Sequence, residues 1–140
     1  MTRDEIVAFF ERRLEHYEDL DAAALAADYA DDAVIESPIA GVHTGRRAAE
    51  QALQAVFAAF VDRRMESVSL LIDGDRVANV LAIEGTLIGD FMGLPPTGKP
   101  FHHTAVFLYE LRDRQIVRER RIYDFTGLLM QVGVLKAKPV

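Results

Sequence analysis

The stretch Gly89-Asp90-Phe91-Met92-Gly93-Leu94-Pro95-Pro96-Thr97-Gly98-Lys99 separates two strand-like runs. Pro95 and Pro96 fix φ and withhold backbone donors, while Gly93 and Gly98 permit turns that other residues resist. Such a segment is a rigid connection that sets the register of its flanking strands and shapes a rim. Before it, from Arg64 onward, the apolar period falls from near four to two. Strands are expected over 67–73 and 76–89, joined by a tight turn at Asp73-Gly74-Asp75. After it, strands are expected over 101–111 and 116–124, joined by Arg112-Asp113-Arg114-Gln115, with a short helix over 125–132. Asp124 is then a carboxylate at the far end of an apolar strand, which points to a small pocket formed by a curved sheet.

The first half is helical. Thr2 and Glu5 form a capping-box pattern, and Ile6, Val7, Phe9, Phe10, Leu14 and Tyr17 recur at helical spacing, predicting a helix over 3–18. An Ala-rich helix over 22–29 is ended by Asp31-Asp32, and a short strand over 33–36 by Ser37-Pro38. The loop 39–45 leads into a helix over 46–62, with Leu53, Val56, Phe57 and Phe60 on its core face. Three helices with one inserted strand, followed by an antiparallel meander, make an α+β domain. A chain of 140 residues predicts one domain, 1–140.

With Lys+Arg at 16 and Asp+Glu at 22 the net charge is −6, which argues against nucleic acid as a partner. The basic cluster Arg112, Arg114, Arg118, Arg120 and Arg121 reads as a solvated strand face or an ion-pair ladder, with an anionic-ligand patch as the alternative. The absence of cysteine removes disulfides and thiolate chemistry. No apolar run approaches a membrane span and the N-terminus has no signal-peptide pattern, so a cytoplasmic protein is expected. The histidines at 16, 43, 102 and 103 lack metal-ligand spacing, so no metal is expected. Neither a Gly-x-Ser-x-Gly nor a phosphate-loop pattern is present.

Gly85-Thr86, Gly89-Asp90-Phe91-Met92-Gly93, Pro95-Pro96-Thr97-Gly98-Lys99 and Asp124 … Leu128-Leu129 … Gln131-Val132-Gly133 resemble the SnoaL-like polyketide cyclases and their ester-cyclase relatives. Tyr29-Ala30-Asp31-Asp32-Ala33-Val34, and Gly45 opening a helix, are similar too. That family sits in the nuclear transport factor 2-like superfamily, with ketosteroid isomerases and limonene epoxide hydrolases. The resemblance implies a cone-shaped, strongly bent antiparallel sheet, mixed at its edge, wrapped around three N-terminal helices as an α+β barrel. It further implies one apolar pocket, a homodimer, a small apolar ligand and no cofactor. The implied activity is acid–base isomerisation or aldol-type cyclisation of an apolar carbonyl compound of polyketide- or steroid-like shape. The alternatives are a non-catalytic ligand-binding or dimeric scaffold domain, and an epoxide or ester hydrolase. The chain departs from the family at Leu87, where many relatives have His, at Arg120, where many have an aromatic residue, and at Arg121, where some have an acid.

Asp124 is the first candidate for chemistry: a desolvated carboxylate facing an apolar pocket has a raised pKa and suits proton abstraction beside a carbonyl. The same side chain is also positioned to cap the last helix. His102 and His103 are adjacent on a strand, so they face opposite ways, and the apolar strand-mates Ala105 and Phe107 favour His103 as the inward one. Tyr17 and Tyr29, from helices that would line the cavity, offer phenols to a substrate oxygen. His43 lies in a loop near the expected mouth, Phe57 and Phe91 supply walls, and Arg120 with Asp124 gives part of an epoxide-opening set. The apolar residues Val106, Leu108 and Val117 on the meander's outer face suggest a two-fold partner.

Overall fold

The computed structural model describes residues 1–136. Helix α1, Arg3–Glu18, starts at the expected capping box and buries Ile6, Phe9, Phe10, Arg13 and Tyr17. The remaining helices are α2 (Ala22–Ala27), α3 (Arg46–Ala59) and α4 (Phe125–Gln131). The strands are β1 (Tyr29–Ser37), β2 (Gly41–Thr44), β3 (Arg64–Asp73), β4 (Arg76–Thr86), β5 (Pro100–Arg112) and β6 (Gln115–Tyr123). They form one sheet in the order β2-β1-β6-β5-β4-β3. The β1–β6 pair is parallel and the others are antiparallel. Register shifts interrupt β1 after Tyr29, β3 at Ser67/Ser69 and the β5–β6 pair at Glu110/Leu111. Bulges of this kind bend a sheet, here around a core shared with the helices. The sheet is open, with β2 and β3 as its edges, so the expected barrel does not close.

Several element boundaries differ from the sequence reading, most of all at β1 and β2. The second helix stops at Ala27 rather than residue 29, and Tyr29-Ala30-Asp31-Asp32 open β1 instead of ending a helix. Asp28 accounts for the change. Its carboxylate binds Arg12 and Arg13, and its carbonyl accepts from the Ile116 N–H, drawing the chain beside β6. The expected loop 39–45 holds strand β2, which returns through Gly41 (φ 74°) to pair with β1.

The Gly/Pro segment is pinned on both sides. Leu87 donates to the Lys99 carbonyl and accepts from Gly98, while the N–H groups of Ile88 and Gly89 both donate to the Ala59 carbonyl at the end of α3. That accounts for β4 ending at Thr86. Helix α3 ends at Ala59 rather than residue 62, because Asp62 turns to accept from the Thr86 N–H and hydroxyl at 2.9 and 2.7 Å. Leu87 itself is a core residue, 1% exposed. Helix α4 is held against β5 by the Gln131 amide, which accepts from the His102 N–H and donates to the His102 carbonyl. No helix among the described residues is long and apolar enough to cross a membrane.

Candidate active site

Strand β6 sorts its side chains by alternation. Glu119, Arg121 and Tyr123 pair with Tyr109, Phe107 and Ala105 of β5 and share their inner face. Arg118 and Arg120 are exposed, and both bind the Glu36 carboxylate on the opposite face, at 3.0 and 2.9 Å. Hydrogen bonds from Arg120 and Arg118 lower the Glu36 pKa. Arg120 is therefore turned away from the interior, because in a strand its side chain must oppose that of Arg121, and it lines a separate hollow with Leu71, Leu108 and Arg118. Most of the basic cluster is an ion-pair ladder: Arg112 meets Asp32 and Arg114 meets Glu5 at the surface.

Arg121 is the inward member. It binds Glu119, which is completely buried and also accepts from the Tyr29 hydroxyl. Arg13 donates to the Leu25 carbonyl, to Asp28 and to the Tyr29 oxygen. Arg13, Tyr29, Glu119 and Arg121 thus form one buried polar chain anchored at Asp28. Burial and the neighbouring Glu119 charge push the Tyr29 hydroxyl well above its ordinary pKa, so it remains a donor. Burial alone would lower the Arg121 pKa, but the Glu119 carboxylate outweighs it and the net direction is upward. Tyr29 was expected on a helix beside ligand. It lies instead on β1, fully buried, with its hydroxyl committed to this chain.

A cleft of about 1320 Å³ runs between α1 and the edge strand β3, lined by Phe10, Leu14, Arg63, Met65, Ile83 and His103 among others. His103 is on the inner face, edge-on to Phe101 at 5.4 Å and Tyr123 at 5.7 Å, whereas His102 is exposed on the outer face. The His103 Nδ1 is buried without a hydrogen-bond partner among the described residues. Burial, helped by the Arg63 charge and opposed by Asp124, lowers its pKa, so the imidazole is neutral at pH 7. Arg63 lies with its guanidinium 5.7 Å from the centroid of the Tyr17 ring. Burial, with Arg121 adding like charge, pushes Arg63 down to about 10, which leaves it cationic at neutral pH. Tyr17 is 5% exposed and packs edge-on to Phe57, and its hydroxyl has no partner among the described residues.

Asp124 directly follows Tyr123, which pairs with Ala105, so it reaches the β5 neighbourhood of His103. Its carboxylate accepts from the Gly127 N–H at 2.9 Å and caps α4. The expected desolvation is not found: the side chain is exposed, because β6 ends one residue earlier and the backbone turns into the helix. His43 is half-buried on edge strand β2 opposite Ile35, with Nε2 unpartnered among the described residues. Phe57 is a core residue of α3. Phe91 packs edge-on to Phe60 at 5.1 Å beside the Phe91/Leu94 turn. Among the described residues no three His, Asp or Glu side chains converge as a metal-binding group. Sequence reasoning missed Arg13, Arg63 and Glu119, and treated Arg121 as one of a basic cluster and as a departure from the family pattern.

The model of the family described as SnoaL-like polyketide cyclase matches residues 8–132. Nogalonic acid methyl ester cyclase of Streptomyces nogalater is 35% identical over 107 residues, covering 76% of this chain and 78% of that protein. TsrD from Streptomyces laurentii superimposes with a TM-score of 0.86 at 20% identity, covering 96% of this chain and 99% of that one. IdmH from Streptomyces antibioticus gives a TM-score of 0.75 at 28% identity, covering 91% and 98%.

Proposed function

The chain belongs to the SnoaL-like polyketide cyclase family, and from that premise we propose that it catalyses an aldol-type ring closure of a polyketide-like carbonyl compound. Asp124 takes a proton from carbon next to a carbonyl. The enolate carbon then attacks a second carbonyl of the same molecule, forming the new C–C bond, and the resulting alkoxide takes a proton. The His103 imidazole, neutral at pH 7, donates a hydrogen bond to the oxygen on which charge develops. Donors aimed at such an oxygen in a water-poor site carry much of the catalysis in reactions of this type. The proton that Asp124 takes is matched by the one the alkoxide gains, so the ring closure is redox-neutral.

One observation carries this reading: a buried, unpartnered imidazole nitrogen on the cleft wall, close enough to Asp124 for that carboxylate to oppose the lowering of its pKa. Phe10, Leu14, Met65 and Ile83 supply apolar walls for a ring framework. A ligand covering the start of α4 would remove Asp124 from water. The test is turnover of polyketide methyl esters by Asp124→Asn. Loss of about 10²–10⁴-fold is expected for a missing general base. Unchanged turnover of an accepted substrate refutes the assignment.

The exposure and capping role of Asp124 favour a second reading, a ligand-binding domain without chemistry. Saturable binding with no turnover across the panel would select it. In either case we propose a homodimer through the outer sheet face. Leu108 and Ile122 are exposed there, 37% and 50%, with Val106 beside them. Val117, expected on that face, sits at the β5–β6 irregularity and packs against the core.

A further inference from the structure

The interior charges do not cancel. Arg13 is matched by Asp28, and Arg121 by Glu119. Arg63 lines the cleft with its guanidinium 5.7 Å from the centroid of the buried Tyr17 ring, and among the described residues no carboxylate comes within ion-pair distance of it. Glu11 and Glu18, on the α1 wall of the same cleft, are exposed and do not reach it. The Tyr17 hydroxyl beside it is buried and unpartnered. Arg63 lines the cleft, and the Tyr17 hydroxyl lies buried behind that wall, so two neighbouring groups lack an electron-rich partner. A wholly apolar ligand closing that space would strip water from the guanidinium and return nothing, which is costly for a cation.

We propose that Arg63 and the Tyr17 hydroxyl form an acid-recognising subsite, and that the ligand of this cleft carries a carboxylate on an otherwise apolar ring framework. The planar guanidinium fork matches the two carboxylate oxygens, and the phenol donates a further hydrogen bond to one of them. This rests on the cleft being the ligand site and refines it: the ligand is amphipathic, with its acid end at Arg63 and its reacting carbon toward His103. Nogalonic acid methyl ester cyclase is named for an ester. A free acid is the distinguishing feature inferred for the ligand of this chain.

The experiment is calorimetric titration of the full chain near neutral pH with 2-naphthoate and, separately, methyl 2-naphthoate. The acid is expected to bind about tenfold or more tightly than its ester, as hydrogen bonds to a charged partner require. Arg63→Met should bring the acid down to the affinity of the ester. Arg63→Lys, which keeps the charge but not the fork, should restore part of the preference and covers the case in which the Met variant fails to fold. Tyr17→Phe should weaken the acid roughly threefold and leave the ester unchanged. Equal or weaker binding of the acid by the native chain, no saturable binding of the acid up to millimolar concentration, or an acid preference that survives in Arg63→Met each overturn the subsite. Asp124→Asn should keep the acid preference, so lost turnover with preserved preference bears on the reaction, and lost preference with preserved turnover bears on Arg63.

Discussion

Replacing Glu119 by Leu tests the buried polar chain directly. Glu119 has no exposed surface, and the Arg121 side chain that binds it is 15% exposed. Removing one partner of a buried ion pair costs about 3–5 kcal/mol, and the residual exposure of Arg121 selects the lower end, about 3. The Tyr29 hydroxyl also loses its acceptor in a buried position, which adds about 1 kcal/mol. The expected total is about 4 kcal/mol, against a stability of roughly 5–15 for a domain. For a chain of this size that is a fall of roughly 14 °C in Tm. The double variant Glu119→Leu/Arg121→Met removes both charges and should recover most of the loss, leaving about 1–2 kcal/mol from Tyr29. Urea unfolding of the native chain, the two singles and the double gives the coupling. A Glu119→Leu cost below about 1 kcal/mol, or a double variant as unstable as the two singles added together, refutes the chain as a stability element. If the Leu variant does not fold, Glu119→Gln keeps an acceptor for Tyr29 and isolates the charge.

Other outcomes follow from single contacts. Gly89→Ala places a Cβ 2.6 Å from the Ala58 carbonyl oxygen and 3.1 Å from the Ala59 Cα, both backbone atoms, so a loss of about 1–3 kcal/mol is expected in chemical denaturation. His103 has a lowered pKa in the folded state. The unfolded chain therefore takes up the proton first, near about 6.5, and stability falls as pH drops from there to the lower folded value. His103→Gln should flatten that part of the stability–pH curve, and an unaltered curve would contradict the assignment. Leu108→Lys on the exposed outer face should shift the sedimentation mass from two chains to one without loss of helical circular dichroism.

Most of the fold was legible because each long element carries one strong period. The capping box at Thr2 and Glu5 fixes the start of α1, and the alternation from Val77 through Ile83 and from Phe101 through Leu111 shows in the burial of β4 and β5. The failure at β1 has a specific cause. Tyr29-Ala30-Asp31-Asp32 has neither alternation nor β-branched residues, so local preference continues the Ala-rich helix and then breaks it at the acids. The segment is a strand because residues 29–36 pair with 116–120, more than eighty positions away, and Asp31 and Asp32 find Arg46 and Arg112 across the surface. Strand β2 was hidden by its length, since four residues give no period to read.

The site was less legible, and charge is the reason. His103 was assignable from its apolar strand-mates Ala105 and Phe107, although His102 shares its own face with Val106 and Leu108 as well as Thr104, so burial rather than hydropathy separates the two. Residues 118–121 read Arg-Glu-Arg-Arg, with a charge at every position. Period two then survives in the geometry but vanishes from hydropathy, and a buried carboxylate looks like one rung of a surface ladder. Only the β5 register separates Glu119 and Arg121 from Arg118 and Arg120. Arg63 lay between a predicted helix end and a predicted strand start, where a charge is normally solvated. What turns it inward is the pair of bonds from Thr86 to Asp62, which fix the backbone at that corner, and the burial of Met65 two residues later on the same face. Weakening that corner with Asp62→Ala, at the cleft rim, should therefore loosen Arg63 while leaving the apolar walls Phe10, Leu14, Met65 and Ile83 in place. It should lower affinity for 2-naphthoate and leave the affinity for its methyl ester in place. A loss shared equally by acid and ester would mean that the corner holds the cleft open rather than aiming its cation.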